Sequence, residues 1–375
     1  MTLEGRDAPP PSDPDPRQVA LRPGYHSPQV EVEVRLNTNE APEPPPAAFV
    51  EALADELRRL PLNRYPDRQA TALRAALAEH HGVDPAQVFC ANGSNEAIQC
   101  LLLAYGGPGR SAMVFEPTYA LHSHIAHLTG TPLITGRRDA TFAVPPDEVA
   151  RSVQAAASLH GPANPAVSFL CSPNNPTGGL ETAGNVASVL ALVPGLLVVD
   201  EAYGQFASWS ALELLHSEPR LVVVRTFSKT WAMAGVRLGY SIADPEVIAH
   251  MANVALPYHL DALKQVAGRL ALGFSQEMAE RVDAIVEERG RVSGGLAALG
   301  VEVWPSSANF ILFRAGGCPG AQVWRGLLER SVLIRDVSDW PGLEGCLRVT
   351  IGTPYENDRF LSALSEVLST PGAGT

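Results

Sequence analysis

Apolar residues form two kinds of pattern along this chain, and the two kinds predict different elements. Short continuous apolar runs predict β-strands that are covered on both faces, as in a parallel sheet. Six such runs are Val88–Ala91, Ala112–Phe115, Ala166–Cys171, Leu196–Val199, Leu221–Thr226 and Leu238–Ile242. Helical spacing lies between them, for example over Glu96–Tyr105 and Glu181–Leu192. The alternation predicts a mostly parallel α/β sheet flanked by helices.

The pattern changes after about residue 274. Ser275 is in position to cap a long helix, and shorter strands and a last helix near Asp358–Leu368 follow. The predicted strands are Val301–Val303, Phe310–Phe313, Val332–Ile334 and Leu347–Ile351. We therefore expect a small α+β domain made of residues 29–40 and 275–375, and a large domain made of residues 41–274. The proline-rich residues 1–28 predict a flexible arm.

Composition narrows the possible classes of protein. The 375 residues include 28 basic and 40 acidic side chains, and the resulting net charge of -12 argues against a nucleic-acid binder. No apolar stretch approaches the ~20 residues that span a bilayer, and the first residues lack the apolar region of a secretory signal. The five cysteines include no C-x-x-C pair and predict buried free thiols. We expect a cytoplasmic protein.

Polar side chains follow directly after four of the predicted strands. Ligands of open α/β sheets bind outside the carboxyl ends of the strands, so these groups are expected to meet at one edge. They are Ser94 and Asn95 after the first run, Asn175 after the third, Asp200 and Tyr203 after the fourth, and Thr226, Ser228 and Lys229 at the end of the fifth.

These groups match the needs of one cofactor, pyridoxal 5′-phosphate (PLP). PLP draws the carbanion formed at an amino acid's Cα into its protonated pyridine ring, and the carboxylate of Asp200 can keep the ring nitrogen cationic. Lys229, one of only two lysines in the chain, can hold the cofactor aldehyde as a Schiff base and move protons. Asn175 and Tyr203 can bond the ring's phenolic oxygen, and Tyr119 can stack on the ring.

The cofactor's phosphate calls for a helix N-terminus, hydroxyl groups and a cation. The amides near Ser94 and Asn95, the hydroxyls of Thr226 and Ser228, and the guanidinium of Arg237 can supply them. Each of these residues alone has a simpler explanation in surface or capping roles. Their combined order along the chain favours a cofactor site.

Two groups of histidines have explanations unrelated to this chemistry. His122, His124 and His127 lack the H-E-x-x-H spacing or a nearby carboxylate of a zinc site, so we expect packed or solvated histidines and no metal. The pair His80–His81 precedes Gly82 and predicts a helix end, where cationic character is favoured.

The order N-N-P-T-G, D-E-A-Y and S-K-x-x-x-x-A-G-x-R-x-G-Y resembles the fold-type-I, class-II PLP-dependent aminotransferases. The segments LNTNEAP, RYPD, NGSNEAI, LIRD and LRVTIG are similar to the histidinol-phosphate aminotransferases in particular. The match covers nearly the whole chain. It implies a large domain with a mostly parallel seven-stranded sheet, a small α+β domain and PLP as the cofactor.

The resemblance also implies roles for residues that the strand pattern does not predict. Tyr65 would contact the cofactor phosphate from a neighbouring subunit, which implies a homodimer. Arg348 and Arg335 would bind the acidic groups of the substrates, and two arginines suit both a phosphate monoester and the dicarboxylate 2-oxoglutarate. Tyr25 would lie near the substrate's imidazole, and Asn175 would contact the substrate. Without the resemblance, Arg335 would be interpreted as a salt-bridge partner and Tyr25 as a packed surface residue.

The implied reaction exchanges an amino group between L-histidinol phosphate and 2-oxoglutarate. It gives 3-(imidazol-4-yl)-2-oxopropyl phosphate and L-glutamate, a step of histidine biosynthesis. Lys229 would move protons between Cα and the cofactor's C4′, and Asp200 and Tyr203 would complete the catalytic set. An aromatic amino-acid aminotransferase and a phospho-amino-acid decarboxylase remain as alternatives. A non-catalytic regulator of this fold would need a DNA-binding segment, which the acidic arm does not supply.

Overall fold

The computed structural model describes residues 28–369, so Tyr25 and nearly all of the predicted arm lie outside the described residues. The strands are β1 Val34–Arg35, β2 Val88–Ala91, β3 Ala112–Glu116, β4 Leu133–Arg137, β5 Val167–Cys171, β6 Leu196–Asp200, β7 Leu221–Thr226, β8 Gly239–Ala243, β9 Glu302–Val303, β10 Phe310–Arg314, β11 Val332–Leu333, β12 Arg335–Asp336 and β13 Cys346–Thr350. The helices are α1 Ala47–Leu57, α2 Thr71–His81, α3 Ser94–Tyr105, α4 Ala120–Leu128, α5 Pro146–His160, α6 Ala183–Leu192, α7 Pro245–Val254, α8 Ala262–Ala271, α9 Ser275–Ala298, α10 Gly320–Glu329 and α11 Pro354–Ser369.

The largest sheet of the described chain has seven strands in the order β2-β8-β7-β6-β5-β3-β4. Strand β8 runs antiparallel to both of its neighbours, and the remaining pairs are parallel. The mostly parallel seven-stranded sheet is thereby confirmed, and all six apolar runs are strands. Strand β4 was not predicted because it lies at the edge of the sheet and its residues are mostly only partly buried.

The central strands are apolar throughout because both faces of the sheet are covered. Val198 and Val222 pack into a cluster with residues of α3, α4 and α7 on one side. Val199 and Val223, the next residues along the same strands, pack into a second cluster with residues of α2, α6 and α8. Successive strand residues point to opposite faces, so the sheet lies between two layers of helices. The ends of its strands are not covered by these layers.

A third core lies outside this sheet. It joins Val34 and Leu36 to buried residues of α9, α10, α11 and the four-stranded sheet β12-β13-β10-β9. Strand β1 pairs in parallel with β11, which brings the first described strand into the C-terminal part of the fold. We propose on this basis the division into a small domain of residues 29–40 and 275–375 and a large domain of residues 41–274. Tyr203 and Phe206 of the large domain also pack into this third core.

Two local predictions are wrong. Ser275 does not cap α9 but is its first residue, because the preceding 3-10 turn Leu272–Phe274 leads directly into the helix and Phe274 takes the cap position. Helix α2 does end at His81, with Gly82 at a φ of 65° as its C-cap. However, His81 is not cationic, because burial and the nearby charge of Arg225 lower its pKa to about 3.

The cysteine prediction is confirmed, since all five cysteines are buried and unpaired. Between residues 28 and 369, no helix combines the length and the apolar character needed to cross a membrane.

Candidate active site

A cavity of about 180 Å³ lies at the carboxyl ends of the central strands. Its lining contains every predicted cofactor residue except Tyr65, namely Ser94, Asn95, Tyr119, Asn175, Asp200, Tyr203, Thr226, Ser228, Lys229 and Arg237. Arg348 also lines it, together with Thr38 and Asn39, which the strand pattern did not predict. The parallel strands thus bring side chains from distant parts of the sequence to one place.

The lining of the cavity includes a buried carboxylate. Asp200 is the last residue of β6 and is only 1% exposed. Its Oδ1 accepts from the Ala202 N–H at 3.0 Å, and its Oδ2 lies 2.9 Å from Nε2 of His122. Because a carboxylate only accepts hydrogen bonds, Nε2 carries the proton in this contact. The geometry leaves Asp200 facing the cavity with its orientation fixed.

His122 is a site residue that the sequence prediction missed. The ring is fully buried in the first turn of α4 and stacks on Phe169, with ring centroids 4.7 Å apart. It was grouped with His124 and His127 as a packed or solvated histidine. A usable signal was its position in the first turn of the helix that follows Tyr119, where the two rings make an edge contact with centroids 5.3 Å apart.

The predicted Schiff-base lysine also lines the cavity. Lys229 follows β7 in the connection to β8, and its Nζ donates to the Thr38 carbonyl at 3.1 Å. Burial lowers its pKa to about 7, the charge of Arg348 adds to the effect, and Glu40 opposes it. A large part of the amine is therefore uncharged near neutral pH, which is the form that attacks an aldehyde.

The residues around Gly93 and Arg237 form an anion cradle. Helix α3 starts after Gly93, which has a φ of 81° and no side chain to cap the first turn, so that turn's N–H groups remain available. A Cβ at Gly93 would lie 2.9 Å from Nη2 of Arg237, and the positive φ at this position favours glycine. Nη1 of Arg237 donates to the Ser228 hydroxyl at 3.3 Å, and Thr226 Oγ1 donates to the same hydroxyl at 2.9 Å. Backbone amides, hydroxyls and a cation suit a phosphate dianion.

A buried arginine also lines the cavity. Arg348 on β13 is 2% exposed and donates to Asn175 Oδ1 and, at 2.8 Å, to the Asn37 carbonyl. Burial raises the pKa of Tyr203, although the Arg348 charge partly opposes this, so the phenol stays protonated. Its hydroxyl accepts from Asn39 Nδ2 at 2.9 Å and keeps its own proton to donate.

Three predicted residues are not among those lining this cavity. Arg335 on β12 lies directly opposite Arg348 on β13, and residues opposite each other in an antiparallel pair share one face. Tyr65 is 81% exposed and stacks on Tyr258, with ring centroids 4.5 Å apart. Tyr25 lies outside the described residues.

The family model for aminotransferase class I and II matches residues 31–364. The chain belongs to this family. Histidinol-phosphate aminotransferase of Frankia casuarinae is 45% identical over 360 residues, covering 92% of this chain and 88% of the relative. The enzyme of that name from Thermobifida fusca is 45% identical over 350 residues, covering 91% of each. The structure of histidinol-phosphate aminotransferase from Sinorhizobium meliloti in complex with pyridoxal-5′-phosphate has a TM-score of 0.81 at 23% identity, covering 90% of this chain and 91% of that one.

The cofactor of this aminotransferase is pyridoxal 5′-phosphate, and the side chains of the cavity fit it. The carboxylate of Asp200 ends β6, whereas the cradle formed by Gly93 and Arg237 lies beside β8, two strands away, and the ring nitrogen and the phosphate require opposite charges. Lys229 and Tyr203 line the same cavity, with Nζ 5.7 Å from the centroid of the phenol ring.

Proposed function

We propose that this aminotransferase exchanges the amino group between L-histidinol phosphate and 2-oxoglutarate, as a cytoplasmic homodimer acting in histidine biosynthesis. The products are 3-(imidazol-4-yl)-2-oxopropyl phosphate and L-glutamate. The observation that carries the proposal is the register of two arginines, Arg335 and Arg348, directly opposite each other on β12 and β13. The relatives named above, at 45% identity, support the same substrate.

The arginine pair favours substrates with an anionic end. Like charges opposite each other weaken a strand pair, and a bound anion offsets that repulsion. Arg348 faces the cavity and is held by Asn175 and the Asn37 carbonyl, so its guanidinium is oriented before a substrate arrives. A phosphate monoester and a dicarboxylate both present oxygens that a guanidinium binds in a bidentate manner. One pocket can therefore accept both amino donor and amino acceptor.

Four residues perform the chemical step. When bound, PLP supplies the electron sink for charge developing at the substrate's Cα. Asp200 would keep the pyridine nitrogen protonated, and His122 fixes the carboxylate through its Nε2–H. Lys229 would hold the cofactor aldehyde until the substrate's amino group displaces it, and the freed amine would then move the proton between the substrate's Cα and C4′. Tyr203 would donate a hydrogen bond to the ring oxygen.

A second copy of the chain is proposed to complete the site. Tyr65 and Tyr258 form an exposed stacked pair, and Leu62 and Leu256 are exposed by 76% and 77% in the same two segments. Exposed apolar side chains concentrated in this way favour an interface. Tyr65 can then reach the partner's phosphate cradle.

The dimer proposal is tested by mixing subunits. Tyr65→Phe and Lys229→Ala homodimers are each expected to be impaired at limiting PLP, whereas a mixture refolded together regains activity. Each heterodimer then contains one intact site, made of Lys229 from one chain and Tyr65 from the other. Failure of the mixture to exceed the sum of its homodimers would contradict a shared site.

The substrate is tested with specificity constants. We expect kcat/KM for histidinol phosphate with 2-oxoglutarate to exceed that for phenylalanine or tyrosine. Arg335→Met should lower the value for histidinol phosphate by at least about tenfold, because it loses a charge-assisted contact, and should affect phenylalanine less. Arg325→Met, on the exposed side of α10, is the control. A preference for phenylalanine in the wild-type enzyme would overturn the substrate assignment.

A further inference from the structure

The side chain of Asn92, the residue before the phosphate cradle, joins the start of α3 to the segment 259–264 at the start of α8. Its Oδ1 accepts from Lys264 Nζ at 2.8 Å. Its Nδ2 donates to Glu96 Oε2 and to the His259 carbonyl, each at 2.9 Å. Both amide hydrogens and the amide oxygen are therefore engaged. The predicted role of the N-G-S-N segment did not include Asn92, which is not among the residues lining the cavity.

Glu96 occupies an unusual place in the first turn of α3. A glutamate at this third helical position commonly accepts from the N–H of the cap residue. Here the cap is Gly93, whose N–H donates to the Ala91 carbonyl instead. Glu96 Oε2 accepts from the Asn92 backbone N–H at 2.6 Å as well as from the Asn92 side chain. Two donors from one residue hold this carboxylate next to Asn92.

The position of that carboxylate matters for the cofactor. Glu96 directly follows Ser94 and Asn95, which line the cavity at its phosphate end. A carboxylate in the first turn is attracted by the same helix dipole that attracts a phosphate. A free Glu96 would compete for the first-turn amides and repel the dianion.

Lys264, in the first turn of α8, fixes the Asn92 side chain. Its ammonium group also lies 2.7 Å from Asp261 Oδ2, and the Asp261 carboxylate caps α8. The chain's second lysine is therefore fixed between a helix start and the Asn92 amide. The Asn92 amide thus accepts from the Lys264 ammonium group and donates to the Glu96 carboxylate.

We propose that Asn92 is a positioning residue for the cofactor phosphate. Asn92, itself held by Lys264, keeps the Glu96 carboxylate beside it, so that the first-turn amides of α3 remain free for the phosphate. The inference depends on PLP being the cofactor and not on which amino donor the enzyme uses.

The test measures cofactor affinity without any substrate. Apoenzyme is titrated with PLP and, separately, with pyridoxal, which has the same ring and aldehyde but lacks the phosphate. Binding is followed by absorbance. In Asn92→Ala the affinity for PLP should fall by at least about tenfold, whereas the affinity for pyridoxal should stay unchanged. An equal loss for both ligands would overturn the proposal, because it would indicate general loosening of the site.

The carboxylate itself provides a second test. Glu96→Gln alone should leave PLP affinity unchanged or increase it, because a neutral amide of the same shape neither repels nor outcompetes the phosphate. In the Asn92→Ala background the same change should restore most of the lost affinity. A tenfold loss in Glu96→Gln alone would overturn the proposal, and this outcome stays readable even if Asn92→Ala does not fold.

A matched control lies elsewhere in the large domain. Asn185 Nδ2 donates to Glu181 Oε2 at 2.5 Å, which is a similar amide–carboxylate contact away from the cavity. Asn185→Ala should change neither affinity. If it lowered PLP affinity as much as Asn92→Ala does, the effect would not belong to the phosphate cradle and the proposal would fail.

Discussion

Two consecutive carboxylates at the end of β6 share the same burial and serve different purposes. Asp200 is 1% exposed and Glu201 is 3% exposed, and they point to opposite faces of the strand. Glu201 accepts from Arg225 Nη2 at 2.7 Å and Nε at 3.0 Å, from Ser210 Oγ at 2.8 Å and from the Ala211 N–H at 2.6 Å. This carboxylate is neutralised by a permanent cation.

Asp200 has a different set of partners. Its contacts are the Ala202 N–H and His122, and its remaining capacity faces the cavity. A buried anion without a permanent cation attracts one, and the cofactor's protonated pyridine nitrogen meets that requirement. The comparison teaches that burial does not distinguish a functional carboxylate from a structural one. What distinguishes them is whether an arginine of the protein itself neutralises the charge.

The largest predicted effect concerns the structural pair. Arg225→Met leaves the Glu201 charge buried without its cation and should lower the free energy of unfolding by about 3–5 kcal/mol. Denaturant unfolding of the purified protein measures it. The double variant Arg225→Met with Glu201→Met removes both charges and should recover most of the loss. If the double variant is no more stable than the single one, Glu201 is not held by charge pairing.

The next effect concerns the functional carboxylate. Asp200→Asn keeps the shape of the side chain but removes the charge that holds the pyridine nitrogen protonated, so kcat should fall by about 10²- to 10³-fold. Steady-state kinetics at saturating PLP measure it, and Glu201→Gln is the matched control. That control should change stability much more than kcat. Equal losses of kcat in both variants would break the comparison.

A smaller effect is expected at the partner of Asp200. His122→Phe preserves a ring that can stack on Phe169 but removes the Nε2–H donor, so kcat should fall by about tenfold. The pH dependence of the cofactor's absorbance should also shift, since the carboxylate is less firmly oriented. A variant with unchanged kcat and spectrum would show that Asp200 needs no help from this ring.

The smallest effect is a pH dependence at Lys229. Its pKa of about 7 means that the amine is protonated and unreactive below that pH and becomes free as the pH rises. The rate of cofactor attachment to apoenzyme should therefore increase through about pH 7 and level off above it. Rapid mixing from pH 5.5 to 9 measures it. A rate that still rises without levelling off at pH 9 would indicate an amine with an ordinary pKa.

Much of this arrangement could be predicted because the local pattern carries it. The strands β5, β6 and β7 are apolar at nearly every position since both faces are covered, and the polar residues that end them mark the cavity edge. Strand β4, with the sequence LITGR, was not predicted because an edge strand mixes exposed and buried positions.

Contacts between distant residues could not be predicted in this way. His122 and Asp200 are 78 positions apart, and no spacing rule links them. The same holds for Asn92 and Lys264, and for β1 and β11, which pair from opposite ends of the chain. His81 was expected to be charged from its place at a helix end, but tertiary burial against Tyr240 outweighs that local effect.

The reversed direction of β8 has a consequence for how this enzyme can be rearranged. Antiparallel neighbours need no helical crossover, so the connection from β7 to β8, residues 227–238, returns at the same end of the sheet and carries Ser228, Lys229 and Arg237 on one continuous segment. Grafting that segment between family members would transfer the hydroxyl, the amine and the guanidinium together, whereas Asp200 would have to come from the recipient's own strand.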